Sequence, residues 1–387
     1  GRPKRQDFAV ARTRDGDSRI SRESASHLRD ELYEFLRIPS VSARSELGLD
    51  TRRAGAWVVD ALRQAGLDAE LIDTAGHPVA LGEWRGAGPN RPTLLVYGHY
   101  DVQPPEPLEL WTSPPFEPTV REGRIYARGA ADDKGQVFLH LKALEHLLRD
   151  GQSLSVNVVV LVEGEEEIAS PNLLPFVEEH RERLAADAVL VSDSTMFAPG
   201  RPSLLYSLRG LAYFELRVRG TCGDLHSGGY GGAVPNAAGE LAAILATLHD
   251  ERRRVAIEGF YDRVRELDDA ERQAVRSLPF DEGAFLDEAG ARELRGESGY
   301  STLERLWSRP TCEVNGLLAG YTGEGAKTVL PAEAMAKLSF RLVPDQDPDE
   351  VGALFREHVR LVAPPAVEVE VVGLPGGRPW RAEPEGP

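Results

Sequence analysis

Apolar positions along this chain follow two rhythms, one helical and one strand-like. Leu28, Leu32, Phe35 and Leu36 recur at helical spacing and predict a helix that ends before Ile38-Pro39. Ala54, Trp57, Val58, Ala61 and Leu62 predict a second helix that stops at Gly66. Short apolar runs predict strands near residues 69–72, 79–84, 93–97, 156–162 and 188–191. Val137, Leu141, Leu144 and Leu148 make one face of a helix running to Asp150-Gly151, and Ser170-Pro171 predicts another with the proline at its first position. Such alternation predicts a layered βαβ-type α/β domain. After Arg209-Gly210 the pattern changes to strand 211–219, helix 236–249, strands 312–318 and 335–343, helix 348–361 opened by Asp347-Pro348, and strand 366–372. That is the pattern of an α+β unit. The charged stretch 251–310 within it reads as solvated helices and loops.

Composition narrows the class. With 387 residues, 41% hydrophobic and 28% charged, the chain is long enough for two domains with sizeable cores. No apolar run approaches the length of a membrane span. A net charge of −17 argues against nucleic acid, which is bound through clustered Lys and Arg. Residues 1–20 are polar and basic without an apolar signal core, so a disordered segment is expected there rather than a secretion signal. Cys222 and Cys312 are few and distant, which fits a reducing, cytoplasmic setting better than a disulfide framework. Serine-hydrolase elbows, dinucleotide loops and H-E-x-x-H helices are absent from the sequence, and GEGAKT near residue 325 lacks the spacing of a phosphate loop.

The candidate chemistry sits where apolar runs end. TLLVYGHYDVQ, residues 93–103, presents His99 and Asp101 two residues apart, so both point to one side of a strand and the carboxylate can orient the imidazole. A satisfied core histidine beside a turn aspartate is the alternative. RGAADDKGQ places Asp132 and Asp133 just before a helix, where they form either a solvated N-cap or part of a ligand set. NVVVLVEGEEE runs a strand into Glu163, Glu165, Glu166 and Glu167, and DAVLVSD ends another at Asp193. Crowded carboxylates raise each other's pKa unless a cation lies among them, so the glutamate run is either a solvated loop or one wall of a metal site. Convergence favours the metal, because the carboxyl ends of parallel strands share one edge of a sheet. Imidazole and carboxylate ligands suit zinc, manganese or cobalt, and a bridging carboxylate suits a pair of ions roughly 3.5–4 Å apart that activates water for hydrolysis.

These residues resemble a known family. The H-x-D after a strand, Gly129 to Gly135 as G-x-x-D-D-K-G, Glu163 to Glu167 as E-G-x-E-E, Ser192-Asp193, and Asp224 to Gly228 as D-L-H-S-G are similar to the carnosinase, aminoacylase and acetylornithine deacetylase family of di-zinc metallopeptidases. The D-L-H-S-G-x-Y-G-G stretch and S-F-R-L-V-P, residues 339–344, are most like its carnosinase and cytosolic non-specific dipeptidase branch. The resemblance implies that Asp132 bridges two Zn2+ ions, that His99 and Asp193 bind one and Glu167 the other, and that Asp101 orients His99. It makes Glu166 the general base for a bridging hydroxide, and His226 an oxyanion donor that reaches into the partner subunit of a homodimer. It gives Thr328 and Arg341 the substrate's C-terminal carboxylate. An arginine fork suits a carboxylate, a buried strand arginine lacking one is costly, and a surface salt bridge is the alternative for Arg341. Glu165 departs from the more apolar residue expected there, and its charge should disturb Glu166.

The expected fold is therefore α/β, a zinc-peptidase catalytic domain over residues 21–208 carrying an inserted α+β lid and dimerisation domain over 209–374. Residues 375–387 would begin the return to the catalytic domain. The expected activity is hydrolysis of dipeptides or short peptides with a free C-terminal carboxylate, with N-acyl-amino-acid deacylation and a catalytically silent metal-binding relative as alternatives. The resemblance also implies a glycine-rich turn and a final histidine ligand after residue 387. With a first residue that is not methionine, this makes the chain a piece of a longer protein, and weak metal binding beside Glu167 with little peptidase activity is expected of it. His358, on helix 348–361, is expected at the surface.

Overall fold

A computed structural model describes residues 22–382 apart from 199 and 202, and the expected disordered segment 1–20 lies outside the described residues. Two compact units, Gly1–Pro202 and Ser203–Pro387, make up the chain.

The first unit runs α1 (Arg22–Leu36), α2 (Gly48–Gln64), β1 (Asp68–Ile72), β2 (Val79–Trp84) and β3 (Thr93–His99), then a small hairpin of β4 (Thr119–Arg121) and β5 (Arg124–Tyr126). It continues with α3 (Lys134–Leu148), β6 (Asn157–Glu163), α4 (Leu173–Glu179) and β7 (Ala188–Val191). Its main sheet has the order β1-β2-β6-β3-β7. β3 is parallel to both β6 and β7, whereas β1, β2 and β6 pair antiparallel. β6 is buried along its whole length, and its side chains divide between two cores. Val158, Val160 and Val162 join Phe35, Leu62, Val137 and Leu141 from the first three helices, while Val159 and Leu161 meet Phe176 of α4. Helices cover both faces of this strand, which explains its unbroken apolar run. Each of these side chains contributes roughly 1.5–3 kcal/mol by leaving water.

α4 begins later than the sequence predicts. Ala169 and Ser170 stand at φ 69° and 47°, in the left-handed region, and the Ser170 N–H closes a turn onto the Glu165 carbonyl at 2.8 Å. Pro171 is left in that turn, and Asn172 takes the N-cap position.

The second unit contains β8 (Ser207–Leu208), β9 (Gly210–Arg219), β10 (Leu225–His226), α5 (Ser227–Tyr230), α6 (Ala237–Ala246), α7 (Asp269–Ser277), α8 (Glu282–Ala289) and α9 (Thr302–Trp307). β11 (Thr311–Ala319), β12 (Val329–Leu330), β13 (Glu333–Leu342), α10 (Pro348–Val362), β14 (Glu368–Gly377) and β15 (Trp380–Arg381) complete it. Four strands form an antiparallel sheet in the order β11-β13-β9-β14, and β8 pairs with β15 in a ribbon of its own. Alternate residues of β9 and β13, among them Phe214, Leu216, Leu338 and Phe340, pack with Leu241 and Ile244 of α6 and Phe355 of α10. The opposite face carries Glu215 across from Lys337, and Leu211 across from Arg341. One wet face and one dry face is the usual condition of an antiparallel sheet.

The charged stretch 251–310 is mostly exposed helices and loops, as expected, but a few of its residues are buried. Val255, Ile257 and Phe260 enter the core of the unit, and Glu297, Glu304 and Arg309 are buried as well. Burial is tolerated because the charges are paired. Arg309 donates through Nε and Nη2 to the two carboxylate oxygens of Glu297, each at 2.8 Å, and through Nη1 to Glu266 at 2.8 Å. Its guanidinium also lies over the rings of Tyr261 and Tyr300. His358 is likewise not a surface residue, being half-buried with Nε2 2.8 Å from the Thr247 hydroxyl. Among the described residues no helix is long and apolar enough to cross a membrane.

Candidate metal centre

The parallel pairing of β3, β6 and β7 brings three carboxyl ends to one edge of the first unit's sheet, and each ends beside an acidic or imidazole group. His99 closes β3 and is fully buried. Its Nδ1 donates to the backbone carbonyl of Asp101 at 3.1 Å and lies 3.3 Å from the Asp101 carboxylate. Its Nε2 faces the other way, 3.1 Å from Asp132 Oδ1 and 3.8 Å from Asp193 Oδ2. The buried Asp101 carboxylate does a second job. It accepts the backbone N–H groups of Glu166 at 3.2 Å and Glu167 at 3.1 Å, and so ties the glutamate turn to the histidine.

Two sets of side chains could each hold an ion: His99, Asp132 and Glu167 form one, and His99, Glu166 and Asp193 the other. Ligand atoms within each set lie within 4.8 Å of one another. His99 stands in both sets, whereas Asp132, the bridge implied by the resemblance, stands in one. The glutamates of the 163–167 run, which the sequence leaves undivided, separate here. Glu163 accepts from the Tyr97 and Ser170 hydroxyls, at 2.5 and 2.8 Å. Glu165 is buried and accepts from the His77 N–H at 2.9 Å and the Asn172 amide at 2.8 Å. Glu166 and Glu167 remain for the centre, the latter steadied by the Gln103 amide at 2.6 Å.

Asp133 occupies the N-cap position of α3 without capping it. Its carboxylate instead accepts the His99 N–H at 3.1 Å. Gly98 makes room for this contact, since a Cβ there would come within 2.8 Å of Asp133 Oδ2 and 2.7 Å of Val137. Lys134, also fully buried, donates to the carbonyls of Phe35 and Ile38 at 3.1 and 2.7 Å and thereby pins the end of α1 to the start of α3. Its burial pulls the ammonium down to about 7. Asp133, expected as an N-cap or a ligand, thus holds the His99 backbone instead, and neither Lys134 nor Gln103 stands out as a contact residue from sequence spacing.

Electrostatics test whether a cation fits. Burial, then the charges of Asp193, Glu167 and Asp101, raise Glu166 to about 7 against the pull of His99. Glu167 and Asp193 are raised too, by burial first. Burial opposes a charge on His99, yet the hydrogen bond and charge of Asp101, with Asp133 and Asp193, push it up to about 10. The carboxylates thus lack positive charge, and a proton on the imidazole supplies some of it. A divalent ion would meet the same demand, and the donor set fits one. Glu165 is engaged with His77 and Asn172, and the acids that raise Glu166 most are Asp193, Glu167 and Asp101.

His226, Thr328 and Arg341 belong to the second unit. The Ser227 N–H donates to the Thr328 carbonyl at 3.0 Å, and His226 on β10 pairs with Val329 on β12, the residue after Thr328. His226 Nδ1 accepts the Gly228 N–H at 3.1 Å, leaving Nε2–H as the outward donor. Arg341 is exposed rather than buried, and among the described residues it forms no ion pair.

The sequence pattern of peptidase family M20/M25/M40 matches residues 95–386. The chain belongs to this family. A Cys-Gly metallodipeptidase from Schizosaccharomyces pombe is 34% identical over 86% of this M20 chain and 72% of its own length. Among solved structures, an M20 family metallo-carboxypeptidase, Sso-CP2, from Sulfolobus solfataricus is similar with a TM-score of 0.80 at 39% identity, covering 92% of this chain and 79% of that one. Human carnosine dipeptidase 1 gives 0.78 at 28% identity, with coverage of 92% and 79%. The M20 chain thus has the mixed α/β fold of these peptidases and is a metallopeptidase of the dipeptidase branch that its motifs resemble.

Proposed function

We propose that this metallopeptidase hydrolyses dipeptides or short peptides with a free C-terminal carboxylate, with Glu166 as general base. The observation carrying the reading is the position of Glu166: its backbone N–H is held by Asp101, and its carboxyl is raised to about 7 and grouped with His99 and Asp193. A base near neutrality can both take a proton and give it back. His99, Asp132 and Asp193 would hold one ion and Glu167, with Asp132, the other, zinc being the metal proposed. When bound, the ions would polarise the scissile carbonyl and acidify the attacking water. Glu166 takes the proton of that water and passes it to the leaving amine. Asp101 keeps the imidazole and the glutamate turn in register while this happens. The parts of His226 as oxyanion donor and of Thr328 and Arg341 as carboxylate binders are proposed from the family alone, as are a homodimeric assembly and a cytoplasmic setting. Relatives named for Cys-Gly and β-Ala-His dipeptides support the choice of substrate class.

The test is a substrate panel on the purified chain, metal-loaded and chelated. Dipeptides are cleaved only by the metal-loaded form if the reading holds. Cleavage of acetyl-amino acids but not dipeptides replaces it with a deacylase, and bound metal without turnover of either class replaces it with a silent relative.

A further inference from the structure

One end of the open face of the second unit's sheet is populated by hydrogen-bond donors without acceptors. Arg341 lies across from Leu211 on β9 and from Thr311 on β11, and the neighbouring pair along the strands is Ser339 with Tyr213. Arg209 stands two residues before Leu211, at the entrance to β9. That makes it a diagonal neighbour of Arg341, and diagonal neighbours lie about 7–8 Å apart, within reach of long side chains. Arg209 is half-buried, Arg341 is exposed, and among the described residues neither has an ion pair or a hydrogen bond. The nearest acid in register, Glu313 across from Ser339, pairs with neither. Burial, and then the charge of Arg341, push the Arg209 guanidinium below its ordinary value. On the same sheet Arg217 is matched with Glu215 and Arg219 with Glu333. Two unmatched guanidiniums side by side are unfavourable unless an anion joins them.

We propose that Arg209 and Arg341 together recognise a dianionic C-terminal residue, aspartate or glutamate, the two guanidiniums sharing its α-carboxylate and its side-chain carboxylate. The proposal rests on the peptidase reading for the role of Arg341 and deepens it by naming a substrate class. A neutral C-terminal residue offers one negative charge to two positive ones. An acidic residue offers two and completes the match, and each guanidinium can bind its carboxylate through a pair of parallel N–H donors. Arg209 is thus a specificity residue rather than a catalytic one.

Steady-state kinetics with glycyl-glutamate and glycyl-glutamine, which differ in one charge at nearly equal size, test the idea. The wild-type protein should favour the acidic peptide in kcat/KM by roughly 10–100-fold, the range expected of a charge-assisted hydrogen bond. Arg209→Gln should lose that ratio, and Arg209→Lys should keep part of it. An equal fall on both peptides, or no preference in the wild type, overturns the proposal. Calorimetric binding of free glutamate and glutamine, the products released, reads the same preference without turnover. If neither peptide is cleaved, the peptidase reading fails, while glutamate-selective binding that disappears in Arg209→Gln still upholds this site. Equal binding of the two amino acids refutes it. Melting curves of both variants establish that they are folded.

Discussion

A carboxylate that accepts no buried cation can either be protonated or act, and Glu166 is placed to do both in turn. Glu166→Gln keeps the shape of the turn and its hydrogen bonds to Asp101, which involve the backbone, but the amide cannot take a proton. kcat should therefore fall by roughly 10²–10⁴ while bound metal, counted by atomic emission, stays close to wild type. Activity within tenfold of wild type places the base elsewhere, and loss of metal would make Glu166 a ligand first, as its grouping with His99 and Asp193 allows. Asp101 was legible because strand alternation puts i and i+2 together, but its grip on the Glu166 and Glu167 amides was not, since those lie more than sixty residues away in sequence. The choice among the glutamates was hidden for a related reason. Spacing says where a carboxylate begins, not which hydroxyl or amide takes hold of it.

At the scale of elements, strand and helix positions in the first unit followed from apolar periodicity, because β6 and its neighbours are buried on both faces and tolerate little else. Periodicity did not reach the few places where polar groups replace apolar ones as the packing material. The stretch 251–310 looked solvated since its arginines and glutamates carry no visible pairing code, yet Arg309 and Glu297 are nearly inaccessible. Removing one partner of such a pair strands the other. Arg309→Met should destabilise the protein by about 3–5 kcal/mol in urea unfolding, whereas replacing both Arg309 and Glu297 with apolar residues of similar size should cost much less. Comparable losses in the single and double variants would mean that ring packing on Tyr261 and Tyr300, rather than charge pairing, is what the segment depends on.

For the molecule as a whole, the acid cluster makes stability depend on pH in a way that metal should abolish. Glu166 moves from an ordinary 4.5 to about 7 and Asp133 from 3.8 to about 7, so the folded chain holds protons that the unfolded chain releases. The cluster's contribution to the stability of the chelated protein should then fall as pH rises from about 4.5 to 7, while depressed groups such as Glu83, Glu304, His140 and His249 contribute in the opposite sense. His99, raised to about 10, acts in the same sense above 6.5, and Lys134, lowered to about 7, acts oppositely only above that value. Measured against a Glu166→Gln, Asp133→Asn variant, which lacks these two titrations, thermal melts of the wild type at pH 5, 6 and 7 in chelator should show a relative Tm that declines, and added zinc should abolish the decline, since ionised carboxylates are then ligands. A relative Tm that climbs over this interval without metal would contradict the burial of these acids. The ribbon formed by β8 and β15 has a separate consequence. It sets Ser207 beside Arg381, so the first and last strands of the second unit stand side by side. A module with its two ends side by side can be lifted out and closed with a few linking residues, or carried into another host chain, without parting any of its own strands. Selection can therefore exchange or reshape this unit, and with it the paired arginines at the mouth of β9, while leaving the metal-binding sheet edge untouched.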